Sequence, residues 1–205
     1  QLVDSTIASN ELQAGDGGLG GPGGRAGDAS GGSAGNDGGN GGLGGRGGDA
    51  QGGGAFALNV AIASTNSTIS SNRASYGEGA AGGDQGTASG DGDGGRFGTT
   101  GRKGVSEGGG IYFNDSSSGL LLSTTVAVNE ATDGEGSGIY NDGSQQVELH
   151  NVLIGANVED LDFEGHIKPG SSYNVIGNGT RLVGIADGVD SNQIGSATNL
   201  SLIHI

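Results

Sequence analysis

The hexapeptide Ser67-Thr68-Ile69-Ser70-Ser71-Asn72 decides the predicted fold, because its pattern returns along the chain. A β-branched residue followed three positions later by asparagine also occurs in 5–10, 124–129 and 152–157. A second marker, a small residue and glycine followed by an apolar and an aromatic residue, occurs in 53–56, 109–112 and 137–140. Both markers recur after 28 residues, from Ile111 to Ile139 and from Asn129 to Asn157. The sequence therefore contains a structural repeat of that length.

A repeat of this size, built from short β-type runs and turn residues, predicts one coil of a parallel β-helix. The fold class is therefore all-β, with residues 1–205 as a single β-solenoid domain. Equivalent apolar residues should stack inward in three columns: Ile7, Ile69, Val126 and Ile154; Leu2, Leu121 and Leu149, interrupted by Ser64; and Ile111 and Ile139, with Ala55 beneath them.

Four asparagines occupy equivalent positions in these coils: Asn10, Asn72, Asn129 and Asn157. We expect them to stack as an amide ladder at a turn, where asparagine tolerates left-handed backbone and its side chains pair along the stacking axis. Such a ladder holds coils together and performs no chemistry.

The remaining spacings are longer, 62 residues from Asn10 to Asn72 and 57 from Asn72 to Asn129, and glycine-rich inserts over 15–53 and 77–107 account for the excess. In the first insert, residues 17–49 run in triplets with bulk at the third position, as in Gly-Gly-Leu19. Period three is typical of the polyproline II conformation. We predict two polyglycine II-type lobes side by side on one flank of the solenoid; a disordered linker is the alternative.

The amino-acid composition excludes several classes of fold and of partner. Fifty glycines in 205 residues make a conventional core improbable, and two prolines exclude collagen. The formal charge of −15, from 23 acidic and 8 basic residues, argues against nucleic acid and anionic membranes, and no apolar stretch is long enough to insert into a bilayer. Cysteine is absent, so disulfides are excluded. Because residue 1 is Gln1, we expect a processed chain or an excerpt of a longer one.

The sequence contains few candidates for catalytic or metal-binding residues. The densest ionisable cluster is Glu159, Asp160, Asp162, Glu164, His166 and Lys168, whose spacing matches no ligand loop, so a solvated charged turn is the preferred interpretation. Carboxylates are Ca²⁺ ligands, and calcium is the one cofactor left open, with Asp91, Asp93, Asp160 and Asp162 as weak candidates. No Ser/His/Asp arrangement is visible, and His150 is expected to be a packing or surface residue. We therefore expect no catalytic residues and no enzyme.

The coil motif Gly-Gly-Gly-Ile-Tyr at 108–112, with the later stretches 174–177 and 188–195, resembles bacterial secreted right-handed parallel β-helix proteins of the pectate-lyase-like and polymorphic outer-membrane-protein type. This resemblance implies a right-handed β-helix, an extracellular or cell-surface location, and a role in adhesion or structure. The Asp-rich and Arg/Lys motifs of the lyases in that group have no counterpart here. The glycine triplets resemble the polyglycine II bundles of insect antifreeze proteins and phage tail-tip adhesins.

Neither terminal region carries the polar cap of an isolated solenoid. One end exposes Leu2 and Val3, and the other carries Leu202, Ile203 and Ile205. We therefore expect an extracellular structural protein that self-assembles with copies of itself, head to tail, into a filament or surface fibre. The alternative is a cell-surface adhesin or a module that binds surface glycans; an ice-binding protein or a polysaccharide lyase is less favoured.

Overall fold

The structure, a computed structural model, describes residues 1–27, 35–143, 147–158 and 161–196. The chain divides into two compact units. The first unit comprises Gln1–Gln13, Ala50–Ser75 and Val105–Ile205, and the second comprises Ala14–Asp49 and Tyr76–Gly104.

The first unit is all-β. None of the described residues is helical, and consequently no helix there is long and apolar enough to cross a membrane. Its strands, in chain order, are β1 Leu2–Val3, β2 Thr6–Ala8, β3 Glu11–Gln13, β4 Ala50–Gln51, β5 Ala55–Ala57, β6 Ala61–Thr65, β7 Thr68–Ser70, β8 Arg73–Ser75, β9 Ser106–Glu107, β10 Ile111–Phe113, β11 Ser118–Leu122, β12 Thr125–Ala127, β13 Glu130–Ala131, β14 Ile139–Asn141, β15 Val147–His150, β16 Leu153–Gly155, β17 Phe163–His166, β18 Val175–Ile176, β19 Arg181–Val183 and β20 Gln193–Ile194.

These strands form parallel sheets in which each strand pairs with its counterparts in neighbouring coils. The three larger sheets have the orders β1-β6-β11-β15, β2-β7-β12-β16-β18-β20 and β5-β10-β14-β17-β19, and two small sheets join β3-β8-β13 and β4-β9. This pattern fits an all-β parallel solenoid and supports that level of the predicted fold class. β4 and β9 fall near the ends of the expected insert ranges, yet they pair with each other in this unit.

Residues with left-handed backbone conformation turn the chain at the corners of each coil. Before the strands of the β2–β20 sheet they are Asp4, Asn66, Ser123, Asn151, Tyr173 and Ser191; after β2, β7, β12 and β16 they are Ser9, Ser71, Val128 and Ala156; and before the β5–β14 strands they are Gly52, Gly108 and Gly136. At the second of these corners the left-handed residue is the one before the ladder asparagine rather than the asparagine itself. Val128 stands out, because β-branched side chains disfavour this conformation.

The predicted apolar columns lie in register. Ile7 pairs with Ile69, Ile69 with Val126, and Val126 with Ile154. The column continues from Ile154 to Ile176 and then to Ile194. Leu2 meets Ser64, followed by Leu121 and Leu149, and Ala55 meets Ile111, Ile139 and Phe163. The spacing between equivalent residues shortens from 28 to 22 and then 18 toward β20. A search for a fixed period therefore finds the longer coils and misses the last two.

The second unit contains four glycine-rich segments, which we number I (14–27), II (35–49), III (76–89) and IV (90–104). Most of their backbone hydrogen bonds run between segments and advance three residues at a time. In two pairs of segments the chains run parallel, with backbone N–H to carbonyl oxygen bonds between I and III (Gly17 to Glu78, Gly20 to Ala81, Gly23 to Asp84) and between II and IV (Gly38 to Asp93, Gly41 to Arg96, Gly44 to Thr99). In three pairs the chains run antiparallel, with bonds from II to I (Gly39 to Gly24, Gly42 to Gly21), from III to II (Gly83 to Gly42, Gly86 to Gly39) and from IV to III (Gly98 to Gly83, Gly101 to Ala80).

Close approach of the backbones explains the glycine at one position of each triplet. A Cβ atom added to Gly41 of segment II would overlap the carbonyl oxygen of Gly83, whereas one added to Gly21 of segment I would meet nothing within 4 Å. The segments can therefore pair only where side chains are absent. Side chains at the third positions, such as Leu19 and Leu43, are exposed.

Gly41→Ala should lower the free energy of unfolding of the second unit by about 1–3 kcal/mol, because the methyl group forces segments II and III apart. Gly21→Ala is the matched control and should stabilise by about 0.4–1 kcal/mol through the unfolded chain. Urea unfolding, followed by hydrogen exchange of the glycine amides, measures both. Equal effects of the two substitutions would contradict the close packing described here.

Candidate functional site

The most ordered polar feature is the asparagine ladder, which runs through the first unit. Asn10 Nδ2 donates to Asn72 Oδ1 at 2.8 Å, Asn72 Nδ2 to Asn129 Oδ1 at 2.9 Å, and Asn129 Nδ2 to Asn157 Oδ1 at 3.0 Å. Each acceptor oxygen also receives the backbone N–H of the preceding ladder asparagine. Asn72 and Asn129 are fully buried, so the ladder satisfies polar groups that water cannot reach.

The ladder ends at an aspartate that sequence reasoning assigned to a charged turn. Asp162 Oδ1 accepts the backbone N–H and the Nδ2 of Asn157, at 3.0 and 2.7 Å, and Asp162 Oδ2 accepts the backbone N–H of Asn178 at 2.7 Å. Asp162 is 6% exposed. A carboxylate only accepts, so donors converge on Asp162 from both sides and the direction of the ladder stops there. No sequence pattern signals this, because Asp162 is displaced from the asparagine position.

Glu164 and Lys168, two further residues of the acidic cluster, belong to separate networks. Glu164 Oε1 accepts a hydrogen bond from Arg181, and Lys168 Nζ donates to Glu148 Oε2. Partial burial raises the pKa of the Glu164 carboxyl, an effect that the hydrogen bond from Arg181 opposes. Glu159 and Asp160 lie outside the described residues. Asp162, Glu164 and Lys168, which the structure describes, therefore do not form a single site.

The remaining calcium candidates lie in the second unit, where Asp91 and Asp93 are exposed. The backbone N–H of Asp93 donates to Asp37 Oδ1 at 2.9 Å. In the part of the chain that the structure describes, His, Cys, Asp and Glu side chains form no group of three or more that could hold a metal ion. Calcium binding therefore has no geometric support among these residues.

A serine, a histidine and a glutamate, which sequence reasoning did not connect, meet on the surface of the first unit. His150 Nδ1 lies 3.1 Å from Ser172 Oγ, and His150 Nε2 lies 3.0 Å from Glu148 Oε1. The hydrogen bond from Lys168 and that from His150 lower the pKa of the Glu148 carboxyl. Because Lys168 also binds this carboxylate, these side chains form a polar network that connects β15 to the following coil. Glu148 and His150 share a face of β15 by period two, whereas Ser172 reaches them only through coil stacking.

Three aromatic rings stack across β5, β10 and β14. The ring centroids of Phe56 and Tyr112 are 5.3 Å apart, and those of Tyr112 and Tyr140 are 5.7 Å apart. Burial, followed by the charge of Glu107, raises the pKa of Tyr140 to about 12. Burial and Asp142, which accepts a hydrogen bond from the Tyr112 hydroxyl, raise the pKa of Tyr112 further. Both phenols therefore remain neutral at physiological pH.

An open groove lies at the corner before β18 and β20. Gly170, Ser172, Tyr173, Asp190 and Ser191 line it. The Tyr173 side chain projects into solvent and is 67% exposed, and its backbone N–H donates to the carbonyl oxygen of Asp190 at 3.0 Å. An exposed aromatic ring beside hydroxyl and carboxylate groups is a surface that can bind a ligand.

The predicted assembly residues fall into two groups. Leu2 and Val3 form β1, which pairs with β6 and is the outermost described strand of its sheet. Leu202, Ile203 and Ile205 lie outside the described residues, so their part of the prediction stays a prediction.

Comparison of the chain with models of known protein families, with curated proteins and with solved structures finds no match. The resemblance to secreted β-helix proteins therefore rests on the coil motifs alone.

Asn129→Ala should lower the free energy of unfolding by about 3–4 kcal/mol, because it leaves buried partners of both the donor and the acceptor side of the amide unsatisfied. Asn10→Ala removes the same side chain from the exposed end of the ladder and should cost about 1 kcal/mol or less. Chemical denaturation of the two variants gives the comparison. Equal losses would show that burial in the ladder is not what makes the central amide important.

Asp162→Asn should destabilise the first unit by about 2 kcal/mol, because the amide has one acceptor oxygen for donors arriving from two sides. Asp187→Asn is the control: Asp187 Oδ1 accepts one backbone N–H, from Ile194 at 2.8 Å, and a side-chain amide can still accept it. Thermal unfolding monitored by circular dichroism distinguishes them. An unchanged melting temperature for Asp162→Asn would contradict the ladder terminus described above.

Proposed function

We propose that this chain is an extracellular structural protein: a right-handed parallel β-helix whose coils stack head to tail with those of other copies, forming a filament or surface fibre. The second unit would be a polyglycine II-type appendage on that fibre. The extracellular location rests on the resemblance of the coil motifs to secreted β-helix proteins.

The observation that carries this proposal is the parallel strand pairing that stacks one coil on the next, because the same pairing can join coils of different copies. Among the described residues, β1, β2 and β3 each have a partner on one side only. Ile7 is partly exposed at this face, whereas its column neighbours Ile69 and Val126 are fully buried. A further coil stacked on β1, β2 and β3 would bury Ile7 and extend three sheets by one strand each. The same strand pairing and apolar contact join the described coils to one another.

The polar groups at this face define what must cover it. Asn10 is exposed and directs its amide donors toward Asn72, so its Oδ1 atom faces away from the ladder as an acceptor. Asp4 and Glu11 add two exposed carboxylates; on the covered side of the coil Asn66 Nδ2 donates to Asp4, and Arg73 stands opposite Glu11 in register. The covering surface of the next copy should therefore present amide N–H groups or basic side chains.

Support for the polyglycine II-type appendage comes from the hydrogen bonds of the second unit. They join different segments and advance by three residues along both partners. Polyproline II-like chains have three residues per turn and no hydrogen bonds within the chain, so their backbone groups are free to pair with neighbours.

Proline at an outward-facing backbone position tests the stacking. Thr68 N–H donates to Ser5 O and Ser9 N–H donates to Ser70 O, so residues 5 and 9 face the next coil. In a parallel pair alternate residues face opposite edges, which directs the N–H of Ala8 to the open side. Ala8→Pro should remove an intermolecular hydrogen bond and leave the internal pairing of β2 intact.

We expect the full chain to form filaments in negative-stain electron microscopy and large species in sedimentation velocity at high concentration. Ala8→Pro should reduce the assembled fraction at least tenfold, and Ala8→Val, which keeps the N–H group, should assemble normally. A chain that stays monomeric at every concentration, or a proline variant that assembles as well as the unmodified chain, would refute the proposal.

A further inference from the structure

Tyr173 is the exception in an otherwise uniform set of corner residues. From Asp4 to Tyr173, the backbone N–H of each corner residue donates to the carbonyl oxygen just before the equivalent residue of the next coil, as Asn151 N–H does to Ser172 O and Tyr173 N–H does to Asp190 O. All members of the set have positive φ, and the others are short and polar: Asp4, Asn66, Ser123, Asn151 and Ser191. Tyr173 has the same conformation, with a φ of 58°.

This placement is unfavourable for folding. Asparagine and aspartate tolerate the left-handed conformation, whereas it strains a bulky side chain. Burial does not compensate for the strain, because the Tyr173 side chain is 67% exposed. Strained backbone conformations cluster at ligand-binding sites, and Tyr173 combines such a conformation with a place in the lining of a groove.

The surroundings of the ring are those of a binding site for a polar, hydroxylated molecule. Ser172 and Ser191 bring hydroxyl groups to the groove, and Asp190 brings a carboxylate. Gly170 leaves one wall free of side-chain atoms, with a φ of 91° and no atom within 4 Å of an added Cβ. The Ser172 hydroxyl is held by His150 at 3.1 Å, so one polar group of the groove is fixed before a ligand arrives.

We propose that this groove binds a sugar ring of a neutral glycan, stacked on the exposed face of Tyr173. A pyranose has a flat face of C–H groups that packs on an aromatic ring, and its hydroxyls can donate to Asp190 and exchange hydrogen bonds with the serines. The first unit carries 15 acidic and 3 basic residues, a formal charge of −12, which disfavours anionic polysaccharides. This binding role is independent of the proposed stacking of coils.

Substitution by the residue type found at the equivalent corners separates binding from folding. Tyr173→Asn should raise the melting temperature by about 2–4 °C, because it relieves the backbone strain, and should weaken glycan binding at least tenfold. Tyr173→Phe keeps the ring and should bind within about threefold of the unmodified chain. Val128→Asn is the matched control: Val128 is 51% exposed with a φ of 59°, so its substitution should stabilise without changing binding.

Saturation-transfer NMR of the full chain measures binding, with cellotetraose, mannotetraose and chitotetraose as neutral probes, tetragalacturonate as an anionic probe and tetramethylammonium as a cation. Binding of at least one neutral probe, lost in Tyr173→Asn and kept in Val128→Asn, supports the proposal. Three results overturn it: no neutral probe binds, only tetragalacturonate or tetramethylammonium binds, or Tyr173→Asn binds as well as the unmodified chain.

Discussion

The hydrogen bond between asparagine side chains of successive coils is the interaction on which the first unit depends. The side-chain oxygen of each acceptor asparagine receives both the side-chain amide N–H and the backbone N–H of the asparagine in the preceding coil. One side chain therefore satisfies a turn that would otherwise bury unpaired donors. A coil shifted by one residue would break this bond and turn the apolar columns outward. The ladder therefore specifies the register as well as adding stability, and the column that contains Ile69 and Val126 follows from it.

In the second unit the backbone N–H and carbonyl groups are also paired, but by the opposite means. There the absence of side chains lets segments approach until N–H and carbonyl groups meet, and the pairing repeats every third residue. Gly41 has no room for a Cβ atom, whereas Leu43, two residues later, is exposed. The chain thus combines pairing directed by specific side chains with pairing that requires their absence.

The sequence predicted the elements that repeat at a fixed spacing and missed those that depart from it. Ile111 and Ile139 lie in adjacent coils as their 28-residue spacing indicates, and the period-three glycines pair with period three. Asp162 escaped recognition because it ends the ladder from a displaced position, and the contact of Ser172 with His150 arises in a shortened coil of 22 residues. The strain at Tyr173 is a backbone property that only the equivalent corners of other coils make visible.

The buried ladder amides should be the most protected polar groups of the first unit, and side-chain amide exchange tests this directly. NMR of asparagine-labelled protein should show that the Nδ2–H groups of Asn72 and Asn129 exchange with solvent only through global unfolding. Asn151, whose exposed side chain donates to Ser123 Oγ, should exchange far faster. Exchange of Asn72 and Asn129 at the rate of Asn151 would contradict the ladder as the interaction that holds the coils together.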